Sequence, residues 1–298
     1  MGNQKKIIIN ADDLGFSQAV NAAILCCAEH GTVTAASVMV NMPFADDALR
    51  QVQERVPQLS LALHFTLTSG KPVSSPLDVP LLVDSNGLFR LGFLGLWKAL
   101  MVSKEKSKLL QQLHTEFLAQ MNRMSQLCEK YHLRFDHLDS HQHVHVLPGI
   151  WKLLQQEAEQ RRLSLRVPRE HWGTLSRSRH RGWTWFPQGL LKQAILNGCL
   201  RKVPQKTGYF GILETGRMDE SALHWIIHSV GTSSAFDTYE INTHPSVLSE
   251  ASNHAGLCCS EADEQFHTSP WREREFRALN CRDVFSWAKQ YSVVLGGF

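Results

Sequence analysis

The sequence has no apolar run approaching the roughly 18 residues of a membrane-spanning helix, no internal repeat and no low-complexity tract. It also has no Cys-x-x-Cys spacing, which argues against a thiolate zinc site or a thioredoxin-like redox motif. Lys and Arg are interleaved with Asp and Glu, and the formal net charge is only +3, so no nucleic-acid partner is expected. The seven cysteines include the adjacent pairs Cys26-Cys27 and Cys258-Cys259. Adjacent cysteines rarely bridge each other, so free thiols and a reducing compartment are expected. A strand-like Lys5-Lys6-Ile7-Ile8-Ile9-Asn10 follows so soon after Met1 that a signal peptide has no room, and a cytoplasmic location is the default.

What is present is an alternation of apolar segments. Ile7-Ile8-Ile9 reads as a buried parallel strand. Ser17 is placed to cap a helix carrying Val20, Ile24 and Cys27 at helical spacing, and Gly31 to close it. Strands are predicted at Thr34–Val40, Leu59–Phe65, Phe135–Leu138 and Leu165–Val167, with late strands at Tyr239–Asn242 and Ser292–Leu295. Helices are predicted at Ala45–Val56, Lys104–Tyr131, near 219–229 and 270–290, and after Pro148, read as a first-turn proline. Residues 66–100, punctuated by Lys71-Pro72, Ser75-Pro76, Val79-Pro80 and Asn86-Gly87, form a long irregular excursion. This order fits a single α/β domain over 1–298, either a β/α barrel or a doubly wound sheet. In both, the chemistry belongs at the C-terminal strand ends.

Histidine is the residue in excess, with 15 in 298. Four polar clusters fall at strand ends: Asp12-Asp13, His64, Asp139-Ser140-His141-Gln142-His143-Val144-His145, and Thr243-His244-Pro245. Taken singly, each has a structural reading as a turn, a satisfied core histidine or a surface loop. Because strand ends converge, one carboxylate and two imidazoles among them make a donor set for Zn²⁺ or another divalent ion, with a position left for water. A helical turn would pair residues 141 and 145, but Pro148 argues that the helix starts later, so the histidine loop is expected to be extended, with 141, 143 and 145 on one side.

Ile9-Asn10-Ala11-Asp12-Asp13-Leu14-Gly15, Leu63-His64 running into Gly70-Lys71-Pro72, and His137-Leu138-Asp139-Ser140-His141-Gln142-His143-Val144-His145 resemble the YdjC-type carbohydrate deacetylases. That group includes chitooligosaccharide deacetylases and is distantly related to NodB-type polysaccharide deacetylases. The resemblance runs through His244-Pro245 and is weakest over about 170–215. It implies a distorted β/α barrel and a divalent metal, Mg²⁺ with Zn²⁺ as the alternative, held by Asp13, His64 and His141. It further implies Asp12 as catalytic base and His244 as proton donor. Asp139 is expected to orient an imidazole, and His143 and His145 to serve as supporting or substrate residues.

The expected substrate is an N-acetylglucosamine-type sugar, with a lipid-linked amino sugar of the hopanoid type as the alternative. A sugar-binding protein on the same scaffold is a rival from another class, and a homodimer is a further expectation. Residues 171–186, rich in Trp and Arg, could form a substrate lid or meet an anionic surface.

Overall fold

The triple isoleucine lies within β1 (Lys5–Leu14), the strand on which the molecule is assembled. A computed structural model describes residues 4–170, 186–247 and 265–298. β1 is joined in parallel by β2 (Ala35–Val38), β3 (Ser60–Phe65), β4 (His137–Ser140) and β5 (Ser164–Leu165) on one side, and by β7 (Thr238–Thr243) and β6 (Gly208–Phe210) on the other. The short β8 (Val293–Leu295) pairs with Lys5–Ile7 of β1, below the point where β2 begins. The sheet curls into an α/β half-barrel whose end strands, β5 and β6, are not paired with each other. A cavity of about 560 Å³ lies along this seam, lined among others by Trp151, Arg166, Tyr209 and Glu240.

The helices follow from their sequence signals. Ser17 accepts from Val20 N–H and starts α1 (Gln18–Glu29); Gly31, at φ +82°, turns the chain out of it. α2 (Ala45–Arg55) ends before Pro57, and α4 (Lys106–Lys130) buries Leu109, Leu113, Phe117, Met121, Met124 and Cys128 along one stripe. A second, polar row on α4 pins the excursion that follows β3. Gln112 accepts from Leu81 N–H, Glu116 from the Val73 and Ser74 N–H groups, and Gln120 from Thr66 N–H while donating to its carbonyl. A loop without a ladder of its own is thus satisfied by side chains at i, i+4 and i+8.

Several expectations are corrected. The excursion ends in a helix, α3 (Phe93–Val102), which is apolar on nearly every side and so lacks the periodicity that marks a helix. The histidine segment is not extended: His141–Val146 is a kinked 3-10 turn in which Gln142 (φ 56°) and His143 (φ 60°) are left-handed. Residues 141, 143 and 145 therefore do not share one side. Pro148 precedes the helix rather than opening its first turn, since Gly149 at φ 93° is the N-cap of α5 (Ile150–Arg161). The segment near 270–290 is two helices, α8 (Pro270–Leu279) and α9 (Asp283–Gln290), which follow α6 (Phe186–Cys199) and α7 (Glu220–Thr232) in the chain. Cys26, Cys27, Cys128, Cys199 and Cys281 are free thiols; Cys258 and Cys259 lie outside the described residues, as do residues 171–185 of the Trp/Arg segment.

Candidate active site

Adjacent residues of a regular strand point to opposite faces, so Asp12 and Asp13 could not both face one cavity. The backbone solves this locally. Asp13 has φ 71°, in the left-handed region that Asp tolerates better than most residues, and the β1–β2 register slips between Ala11 and Leu14. Both carboxylates are buried at the C-terminal end of β1.

Around Asp13 the structure gathers the residues singled out from the sequence. His141 Nδ1 is 3.0 Å and His64 Nε2 3.5 Å from Asp13 Oδ1. One ligand atom each from Asp13, His64 and His141 lie within 4.8 Å of one another. The opposite nitrogen of His64, Nδ1, lies 2.6 Å from Asp139 Oδ1, so the carboxylate fixes the ring and leaves Nε2 facing Asp13. Two imidazoles and a carboxylate so disposed fit a divalent ion, and these are the residues that could hold it. Asp12, His64 and Asp139 form a second such group, but Asp12 and Asp139 are both committed to an arginine.

Electrostatics sharpens the division. Burial alone would raise the Asp13 carboxyl, yet His141 and His64 overcome it and hold it well below the usual range. Burial opposes charge on His64, but Asp12 and Asp139 outweigh it and lift its pKa to about 10, so a divalent ion held here would take the place of the proton on Nε2. Asp139 is likewise held low, against burial, by Arg166 and His64.

Asp12 is fixed from below. Arg166, just beyond β5, donates from Nη1 to Asp12 Oδ2 at 3.0 Å and from Nη2 to Oδ1 at 2.9 Å. The same guanidinium reaches Asp139 Oδ2 at 2.7 Å and, through Nε, Glu240 Oε1 at 2.6 Å. Asn10 Nδ2 adds a bond to Asp12 Oδ1 at 2.7 Å. His244, one residue past β7, brings Nε2 to 4.0 Å from Asp12 Oδ2, and burial pushes its pKa down to about 4.

His145 is turned away from the aspartates. Its Nδ1 lies 2.5 Å from Ser140 Oγ and its Nε2 3.0 Å from the Arg166 carbonyl, so it braces the turn. His143 packs edge-on to Tyr209, with ring centroids 6.0 Å apart and Nδ1 unpartnered among the described residues.

Arg166, Arg272, Glu275, Asn242 and Lys192 were not anticipated. Arg272 of α8 approaches Asp13 Oδ2 at 3.3 Å, and Glu275, one turn on, accepts from His244 N–H. Asn242, between Glu240 and His244 on the inner face of β7, has both amide atoms buried without a partner among the described residues. Lys192 of α6 sets its ammonium 5.6 Å from the Phe93 ring, and burial lowers its pKa to about 8. The available signal was the Arg272/Glu275 spacing of three within a helix, which marks a possible pair on one face. Arg166 and Lys192 carried none, because their partners are remote in sequence, and Asn242 carried none beyond its place on a strand.

The model of the family described as YdjC-like protein matches residues 6–290. The chain belongs to the YdjC-like family. Among curated relatives, a carbohydrate deacetylase of Geobacillus stearothermophilus is 38% identical over 163 residues, covering 54% of this chain and 59% of the relative. A chitooligosaccharide deacetylase of Proteus mirabilis is 36% identical over 163 residues, covering 55% and 59%. The chain thus spans about three-fifths of the length of the curated relatives it matches. The fold is shared with an Enterococcus faecalis crystal structure described as a cellobiose-phosphate cleavage protein, with TM-score 0.70, 23% identity, and 98% and 97% of the two chains covered. No helix among the described residues of this YdjC-like chain is long and apolar enough to cross a membrane.

Proposed function

We propose that this YdjC-like protein is a divalent-metal-dependent hydrolase removing the acetyl group from N-acetylglucosamine-type glycosides, with Mg²⁺ favoured over Zn²⁺. The observation that carries the reading is the convergence of Asp13, His64 and His141 beside an Asp12 that is gripped through both oxygens by Arg166. The names of the curated relatives support the substrate class.

A divalent ion held by Asp13, His64 and His141 supplies Lewis acidity toward the acetyl carbonyl and the attacking water. Asp12 accepts the water proton as its oxygen bonds to the carbonyl carbon. Arg166 and Asn10 keep the carboxylate from swinging toward the ligand set. His244 donates to the amine nitrogen as the C–N bond breaks, leaving acetate and the free amino sugar. Since burial keeps its pKa near 4, His244 enters uncharged, and the proton it delivers is one received during the reaction; Asp12 Oδ2, 4.0 Å away, is placed to supply it.

The test is acetate release from diacetylchitobiose by wild type, Asp12→Asn and His141→Ala. Each variant should lose at least about a hundredfold in turnover. Equal rates from all three proteins would remove the proposed site.

A further inference from the structure

Seven large hydrophobic side chains stand exposed among the described residues, and three of them, Leu94, Met101 and Val102, belong to one helix, α3. At 100° per residue Leu94, Lys98, Met101 and Val102 share its outer face, while Phe93, Leu96 and Leu100 face the core. A helix apolar on both sides is normally buried; this one is exposed to 50% at Leu94 and 69% at Val102. Leu191, 52% exposed, follows on α6 beside Lys192, whose ammonium lies over Phe93.

The surroundings are basic. Between residues 90 and 108 stand Arg90, Lys98, Lys104, Lys106 and Lys108, all exposed, against a single acid, Glu105. That local excess of four positive charges is larger than the +3 of the whole chain. Trp97, half-buried on the flank of the face, has the amphipathic ring favoured at water–lipid boundaries.

The position is also particular. Phe93 N–H donates to Gln142 Oε1 at 3.2 Å, so α3 starts on the turn that carries His141. We propose that the outer face of α3 with its flanking lysines is a docking surface for an anionic lipid bilayer, which sets the mouth of the site at headgroup level. Apolar side chains ringed by Lys and Arg match the chemistry of interfacial helices, and so short a face gives reversible adsorption rather than insertion. A second copy of the chain fits this face less well, because an isologous contact would press two basic clusters together. The docking claim does not require the deacetylase reading. Together with it, docking makes membrane-borne N-acetylated glycosides accessible to Asp12.

The experiment is co-sedimentation of the full chain with vesicles of phosphatidylcholine alone, and of phosphatidylcholine with about a third phosphatidylglycerol, at low ionic strength and at about 0.5 M salt. Wild type should bind the anionic vesicles and be released by salt. The Lys104→Gln/Lys106→Gln variant should lose about thirtyfold in partition. Leu94→Ser/Met101→Ser/Val102→Ser should lose at least about tenfold. Both variants should keep the wild-type melting temperature and acetate release from soluble diacetylchitobiose, which separates failure of docking from failure of the site. Absence of binding, equal binding to both vesicle types, or binding untouched by either variant would overturn the proposal. A concentration-dependent dimer lost in the serine variant would reassign the face to a second copy.

Discussion

Two fully buried arginines, Arg166 and Arg272, flank the aspartate pair, and their surroundings differ in a way that fits the separate tasks proposed for the neighbouring carboxylates. Arg166 is saturated: Asp12, Asp139 and Glu240 surround it and hold its pKa well above the ordinary value despite burial. Arg272 is undersupplied. It reaches Asp13 through Nη1 alone, shares that nitrogen with His267 Nδ1, and has Nε and Nη2 unpartnered among the described residues, so burial lowers its pKa. A carboxylate gripped through both oxygens is fixed in orientation, which suits the base proposed for Asp12. One touched at a single oxygen at 3.3 Å keeps its other oxygen turned toward two imidazoles.

The largest test of this contrast removes each arginine. Arg166→Met strands three buried carboxylates and should cost about 3–5 kcal/mol in denaturant unfolding, while Arg272→Met should cost about 1–2 kcal/mol. Equal losses would abolish the distinction. Next, Asp13→Ala should abolish both bound metal and activity, whereas Asp12→Asn should retain metal and lose turnover; metal analysis of the two purified variants reads this directly, and equal metal loss would undo the division of labour.

The smallest effect concerns pH. Burial raises Glu275, beside Arg272, from 4.5 to about 8, against the Met218 and His244 N–H groups that favour its charged form. A pKa raised on folding contributes stability that is complete below about 4.5 and is lost as pH rises through about 8. Glu275→Gln should therefore flatten the fall in melting temperature over that window. Asp139, held low by Arg166, has the opposite sign, and its contribution disappears on acidification below 3.8. A Glu275→Gln variant with the wild-type pH profile would show that Glu275 is not the titrating group.

Much of this scaffold was legible because local signals agree with the tertiary outcome. Ser17 caps α1, α4 shows its apolar stripe, and the isoleucines of β1 are buried as read. The misses have physical causes. α3 has too few polar residues to show a period, and β6 is only three residues long. The histidine segment departs from extended backbone because Gln142 and His143 take left-handed angles that neither side chain announces. At the site, strand ends marked the polar clusters that contain Asp13, His64 and His141, and the family resemblance singled these three out of them. Arg166 could not, since its value lies in contacts to Asp12 and Glu240 that are 154 and 74 positions away.

The left-handed residue at Asp13 bears on how portable this chemistry is. Copying Ala-Asp-Asp onto the end of a regular strand would deliver one carboxylate to a cavity and send its neighbour into the opposite layer. The transferable unit is the pair together with the slipped register between Ala11 and Leu14, and a graft that omits the slip would bring only one of the two carboxylates to the cavity. The same constraint selects the gentlest probe of the position: Asn is the residue closest to Asp in shape that also tolerates φ near +70°.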